Sequence, residues 1–403
     1  MKARSLRVSR IVGWRSRGLA LTYGRSRDSF TGLVAHRRVP RDPYPTYKVL
    51  RDEEPVFHDK SRGAYVLTRF ADVREAARDQ ARFSSAATRS EVFDRITRMD
   101  PPEHDLWRDL LSARFRPRRI GTLETDVRAL ARSLLEDGRG RESFDIVEQY
   151  AAPIPSTMIG DLIGLPREQH LRCHVLSEVS IAGEPAEAAA ANDEIYAMFE
   201  PLLAARRREP ADDLISVLLT AEVDGRALTH QQLLGYCLHL VVAGNDTTAN
   251  LIGTGAFLLA RNAHLRARLV VAPTLIADFV EEMLRYDGPV QMLFRTTVVP
   301  VELHDVVIPA GAPIELYWGA ANRDERQFRE PDEFVLRRPE LQHLGFGHGV
   351  HFCLGAHLAR LEARVAFEEL LAVAPEYRLV EDQALTIKPG WSIRGYRSVR
   401  VEF

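Results

Sequence analysis

The sequence predicts a mainly α-helical single domain with a minor β component, and three observations carry that reading. Residues 231–260 hold one formally charged side chain, Asp246, and apolar or small residues on nearly every side, the pattern of a long helix buried in a protein interior. Helical periodicity dominates the first three quarters of the chain. Short runs rich in β-branched residues gather late, around Gly311. At 403 residues the length alone suggests two or three domains of roughly 150 residues each. No internal repeat and no flexible linker follows residue 42, so residues 42–403 are expected to form one catalytic-sized domain behind a lead of residues 1–41.

The elements follow in order. Asp42-Pro43-Tyr44-Pro45 is a turn-rich start, and 47–52 reads as a short helix. Residues 64–68 (Ala-Tyr-Val-Leu-Thr) have strand composition, whereas 71–79, 103–114, 123–137, 167–177, 186–206 and 214–221 have helical periodicity. The buried stretch 231–260 is long enough to cross a bilayer, but Asp246 at its centre would cost roughly 2.5 to 3.5 kcal/mol there, so a helix inside a soluble protein is expected. Residues 265–286 continue as helix, and 298–303, 306–308 and 313–317 read as strands. A last strong helix runs from 354 to 371.

Composition is ordinary for a globular chain, with 45% apolar and 27% charged residues, which excludes collagenous and disordered classes. Cys173, Cys237 and Cys353 are odd in number and far apart, so no disulfide framework is expected and a reducing, cytoplasmic location follows. The net charge of −2 hides an asymmetry: residues 1–41 carry eleven Lys/Arg against Asp28 alone, leaving the remainder at −12. Arginines interleaved with Leu6, Val8, Ile11, Val12, Trp14, Leu19 and Leu21 fit either a surface helix and linker or peripheral contact with an anionic membrane. An acidic main domain without a recognised module gives no support to nucleic-acid binding.

The densest chemistry is Phe346-Gly347-His348-Gly349-Val350-His351-Phe352-Cys353-Leu354-Gly355, a glycine-punctuated loop ending on a cysteine that opens a helix. Unpaired N–H groups at a helix start lower a thiol pKa, and the flanking glycines let backbone amides approach the sulfur. A zinc site of His343, His348, His351 and Cys353 competes, but it offers a single sulfur and unusual spacing. Cys173 and Cys237 read as small core hydrophobes. The second chemical segment is Ala243-Gly244-Asn245-Asp246-Thr247-Thr248 in the long helix. Small residues leave room for a ligand, and a threonine hydroxyl bonding back to a carbonyl one turn earlier opens the helix locally.

These two segments together resemble the cytochromes P-450, specifically the soluble bacterial group. The signature Phe-Gly-x-Gly-x-His-x-Cys-x-Gly is met at every defined position from Phe346 to Gly355, and the central segment matches Ala/Gly-Gly-x-Asp/Glu-Thr-Thr. The resemblance covers residues 42–403 and implies that family's fold, a large helical domain with its long central helix over a haem. It implies haem b with Cys353 as axial thiolate, a ligand that favours O–O cleavage. The positions matching the family's cofactor contacts are His104, Arg108, Ala243, Arg295, Phe346, His351 and Gly355. Asp246 and Thr247 would relay protons to dioxygen. Glu282-x-x-Arg285 with Arg338 would support the fold and the cysteine loop. By family position the substrate wall would include Val92, Phe93, Ile96, Val242, Gln291, Met292, Leu293 and Ile393.

The resemblance implies a monooxygenase that hydroxylates or epoxidises an apolar small molecule of steroid, fatty acid, terpene or polyketide type. The chain has no iron–sulfur cysteine cluster and no appended Gly-x-Gly-x-x-Gly unit, so a separate ferredoxin and ferredoxin reductase are the expected electron source. Arg114, Arg116, Arg118, Arg119 and Arg360 would form its basic docking patch. A monomer is expected. The alternatives are a peroxide-driven haem-thiolate enzyme, against which Asp246-Thr247 argues, and a non-catalytic haem or ligand-binding protein.

Overall fold

The computed structural model describes residues 42–86 and 96–403 except 341, 389 and 391. The basic lead, Val92 and Phe93 therefore lie outside the described residues. The described chain opens with α1 (Tyr44–Glu53), β1 (Val56–Asp59), β2 (Ala64–Leu67), α2 (Phe70–Arg78) and β3 (Phe83–Ser84). There follow α3 (Glu103–Ser112), α4 (Pro117–Gly121), α5 (Glu124–Gly138), β4 (Phe144–Asp145), α6 (Pro153–Ile163), α7 (His170–Ala182), α8 (Pro185–Arg208) and α9 (Leu214–Thr220). A hairpin of β5 (Glu222–Val223) and β6 (Arg226–Ala227) precedes the 32-residue α10 (His230–Arg261), then α11 (Ala263–Val271) and α12 (Ile276–Tyr286). The strands β7 (Leu293–Thr297), β8 (Val301–Leu303), β9 (Val306–Ile308) and β10 (Pro313–Leu316) lead to α13 (Trp318–Ala321), α14 (Ala356–Val373), β11 (Arg378–Leu379) and β12 (Arg400–Glu402). No described helix is long and apolar enough to cross a membrane.

These elements gather into two compact units, each assembled from segments distant in sequence. Unit one comprises the described residues up to 86, Leu258–Phe352 and Thr386–Gly395. Its frame is a five-stranded sheet in the order β1-β2-β10-β7-β3. Because side chains alternate across a strand, Leu67 enters one core with Val73, Phe83, Ile314 and Phe328, while its neighbour Val66 enters another with Tyr47, Leu50 and Tyr317. Both faces of β2 are covered, which explains its unbroken apolar run. Glu315 on β10 is also buried, and the Arg62 guanidinium neutralises it with a two-pronged contact.

Unit two comprises residues 96–257, Cys353–Leu385 and Tyr396–Phe403 among those described. Here α14 lies along α5, with Val365, Ala366 and Leu370 on one side and Val127, Ala131 and Leu135 on the other all buried. The edge of this packing carries a charged network in which Arg128 donates to Glu368 and Glu369 and Arg364 donates to Glu124. Tyr150 and Tyr377, both buried, donate their hydroxyls to the carbonyls of Ala366 and Ala256.

Two expected elements differ in extent. The helix read over 265–286 is broken: α11 stops at Val271, and Pro273, which cannot supply an N–H, starts a separate 3₁₀ turn before α12. The strand read over 298–303 begins only at Val301; Val298 and Val299 are half exposed, and the ladder with β10 is made by 293–296 instead.

Candidate active site

The cysteine loop is shaped by its glycines. Gly347 and Gly349 take φ of +73° and +75°, in the left-handed region that favours glycine. A Cβ on Gly349 would sit 2.9 Å from the Ala77 carbonyl oxygen, so the loop rests directly on the end of α2. Arg74 of the same helix donates Nε–H to His348 Nε2 at 3.4 Å. Burial and the charges of Arg74 and Arg78 push the His348 pKa below its ordinary value. A 3₁₀ turn over Gly349–His351 follows, closed by the Phe352 amide donating to Gly349 O at 3.0 Å, with the Phe346 and Phe352 rings tilted against each other at 6.2 Å. His343 faces Glu281 at 3.1 Å while its Nδ1 accepts from the Gly345 amide, and no group of three metal-ligating side chains occurs among the described residues.

Cys353 immediately precedes α14 in unit two, partly accessible. Burial pushes its thiol up, whereas the Gly355 amide bonded to it and the guanidinium charges of Arg108 and Arg360 pull it down. A Cβ at Gly355 would meet nothing within 4 Å, so the chain two residues beyond the cysteine borders open space. An amide donor, two cations and an open side suit a thiolate ligand of a large planar cofactor. Arg108 lies on α3; burial lowers its pKa and the Cys353 charge opposes that effect. His104, one turn earlier on α3, is buried, with Nδ1 2.9 Å from Asp105 Oδ1.

On α10, Thr247 donates Oγ1–H to the Ala243 carbonyl at 3.1 Å, the back-bond read from the sequence. Ala243 is exposed on a helix whose neighbours Val241 and Val242 are buried. Gly244 has a different role from the one its size suggested. A Cβ there would lie 2.8 Å from Ile159 Cγ1, so it admits α6 and does not widen a ligand space. Asp246 is only 4% exposed, and its carboxylate does not itself reach bulk water.

Sequence reasoning missed Glu362. It lies on α14, 1% exposed, and burial raises its pKa well above the carboxylate range despite a hydrogen bond from the Thr248 side chain. Its Oε1 and the Asn245 Oδ1 of α10 have no partner among the described residues. The signal the sequence carries for it is its place among Leu358, Leu361 and Val365.

In unit one, Glu282 and Arg285 form a buried bidentate pair at 2.7 and 2.8 Å, and Arg338 joins Glu282 at 3.2 Å. Arg285 also donates to the carbonyls of Asn322 and Pro331, which pins the irregular segment before the cysteine loop. Arg295 is buried on β7, opposite Ile314 of β10, and donates to Phe294 O at 2.7 Å. Two residues expected on the substrate wall are placed otherwise. Gln291 is fully buried, accepting from Tyr47 and donating to Gly288 O, and Met292 is in the core with Tyr47 and Tyr317; both are committed to the fold. Leu293 and Phe294 are about 40% exposed, Ile96 is half-buried in a 3₁₀ turn, and Ile393 forms a bridge with Val290.

A cysteine opening a helix beneath an amide donor, with a back-bonded threonine on a long buried helix, defines a haem-thiolate protein. Comparison with known proteins agrees. The family model described as Cytochrome P450 matches residues 274–373. Cytochrome P450 109 of Bacillus spizizenii is 36% identical over 375 residues, covering 90% of this chain and 92% of that protein. The structure of a mutant of P450 EryK in complex with erythromycin B superposes with a TM-score of 0.83 at 36% identity, covering 89% of this chain and 95% of that one. CYP109E1 from Bacillus megaterium in complex with testosterone gives 0.84 at 30%, covering 89% and 97%. The chain belongs to the cytochrome P450 family: it is a haem-thiolate monooxygenase whose axial ligand is Cys353.

Proposed function

We propose that this monooxygenase inserts one oxygen atom into a C–H or C=C bond of a bulky apolar molecule, of steroid or macrolide size, using electrons from a ferredoxin and its reductase. The other oxygen atom leaves as water, so each turnover consumes one dioxygen, two electrons and two protons. The observation that carries the reading is the Thr247 hydroxyl beside exposed Ala243 on a largely buried helix. Neighbours solved with erythromycin B and testosterone support the substrate size.

When bound, the haem supplies the binding and reductive activation of dioxygen. Cys353 would hold it, and the Gly355 amide with the charges of Arg108 and Arg360 favours the thiolate against the burial that pushes the thiol up. By family position, His104, Arg108, Arg295 and His351 are the residues that would hold its two propionates, and Phe346 and Ala243 are further residues proposed to contact it. Thr247 holds a proton at Oγ1 and passes it on; Asp246 resupplies it, through water or a side-chain movement because the carboxylate is buried. Val242, Leu293, Ile393, Ile96, Val92 and Phe93 are the proposed apolar wall. For the ferredoxin, Arg116 and Arg118 are the proposed contacts: both are exposed, whereas Arg114 and Arg119 are held by Asp212. The test is Thr247→Ala in the reconstituted holoenzyme: haem content stays, while reducing equivalents divert to hydrogen peroxide. Unchanged coupling of electrons to product contradicts the relay.

A further inference from the structure

The last segment of unit one, Thr386–Gly395, carries Ile393 of the proposed substrate wall. It is laid along the chain that leaves α12 by a short antiparallel pairing. The Gln291 amide donates to Ser392 O and the Arg394 amide to Pro289 O, each at 2.7 Å, and Val290 and Ile393 face each other between them. Side chains alternate along an extended chain, so Arg394 is directed to the side opposite Ile393. There its Nε–H donates to Oδ1 of Asp287 at 2.8 Å, and the Tyr44 hydroxyl donates to the same oxygen at 2.6 Å. One carboxylate oxygen thus ties together three stretches distant in sequence: the start of α1, the residue after α12 and the Ile393 segment. Arg394 is buried and Asp287 mostly so, and water competes little for either charge-assisted bond. Arg323 braces the clamp from behind, with its guanidinium 4.1 Å from the centre of the Tyr44 ring and 3.6 Å from that of Tyr286. Burial and the Asp287 charge raise the Tyr44 pKa well above that of a free phenol, so the hydroxyl keeps the proton it donates.

We infer that Asp287 is a positioning residue for the substrate: by holding the Tyr44 hydroxyl and the Arg394 guanidinium on one oxygen, it fixes the segment that presents Ile393. The inference rests on the monooxygenase reading above, which places Ile393 in the apolar wall. A wall residue held in one place holds a bulky ligand in one orientation, and orientation decides which C–H bond reacts. Asp287 acts through Ile393 and does not itself touch the ligand.

The test is spectral titration of the holoenzyme with imidazole and with clotrimazole. Both bind haem iron through a nitrogen, and only the second is large enough to reach a wall. Asp287→Asn is expected to weaken clotrimazole about tenfold with imidazole unchanged, the scale of one charge-assisted hydrogen bond. Tyr44→Phe is expected to lower the same ratio by less, and Asp287→Glu to restore part of it. In an Ile393→Ala background, Asp287→Asn is expected to have no further effect on the ratio, because the residue it acts through is gone. An unchanged ratio in Asp287→Asn overturns the assignment. So does an equal loss for both ligands, which marks a merely structural role, or a loss that persists undiminished beside Ile393→Ala. If Asp287→Asn fails to retain haem, Tyr44→Phe decides by the same ratio. Failure of the wild type to bind imidazole, or a carbon monoxide band of histidine-ligated haem, overturns the monooxygenase reading and this inference with it; a thiolate band with an unchanged ratio sinks the Asp287 assignment alone.

Discussion

Single residues carry most of the chemistry, and Glu362 shows how far their surroundings decide their state. Burial raises the pKa of its carboxyl well above the ordinary range, so the folded protein binds this proton more tightly than the unfolded chain, whose reference value is near 4.5. A raised folded pKa stabilises most below the unfolded value and that contribution is lost as pH rises toward the folded one. Glu362→Gln, which has no proton to lose, is therefore expected to gain melting temperature relative to wild type between pH 5 and pH 8. Parallel curves across that range would show that Glu362 is charged in the fold. Cys173 reports a plainer burial effect: its thiol is pushed up to about 12, so alkylation of the native protein at pH 8 should leave it unmodified.

Among the secondary-structure elements, the cysteine loop depends on what lies beneath it. Gly349→Ala combines a positive φ with a Cβ 2.9 Å from the Ala77 carbonyl, and a loss of roughly 1 to 3 kcal/mol is expected in denaturant unfolding of the holoenzyme. Glu282→Ala leaves Arg285 and Arg338 buried without their shared carboxylate, which should cost about 3 to 5 kcal/mol. A loss under about 1 kcal/mol would place that pair in water. The long helix and the cysteine loop were legible because both are defined by composition: one holds a single charge, Asp246, over residues 231–260 and glycine brackets the other. The helix α6 was not among the elements expected from the sequence; Pro153 and Pro155 occupy its first turn, where a missing N–H is tolerated. Pro273 was the reverse case, a true break read through. Gln291 and Met292 were expected on the wall by family position, and the fold shows Met292 in the core with Tyr47 and Tyr317 and Gln291 hydrogen-bonded to Tyr47 and Gly288.

For the whole molecule, the fold class was readable because helical periodicity covers so much of the chain, whereas the grouping into two interleaved units depends on contacts between segments hundreds of residues apart. Charge acts at this scale too. Asp212 pairs with Arg114 and Arg119 while Arg116 and Arg118 are exposed, and these last two are the cations proposed to meet an acidic electron donor. Replacing Arg116 and Arg118 by Glu is expected to raise the half-saturating ferredoxin concentration about tenfold at low salt, with the difference shrinking as salt is added. Equal salt dependence in both proteins would move the docking surface elsewhere. The most direct measurement for the account as a whole is the absorption spectrum of the reduced protein under carbon monoxide, for wild type and Cys353→Ser. A Soret band shifted far to the red in the wild type and absent in the variant is the predicted result; a wild-type band at the position of histidine-ligated haem would contradict it.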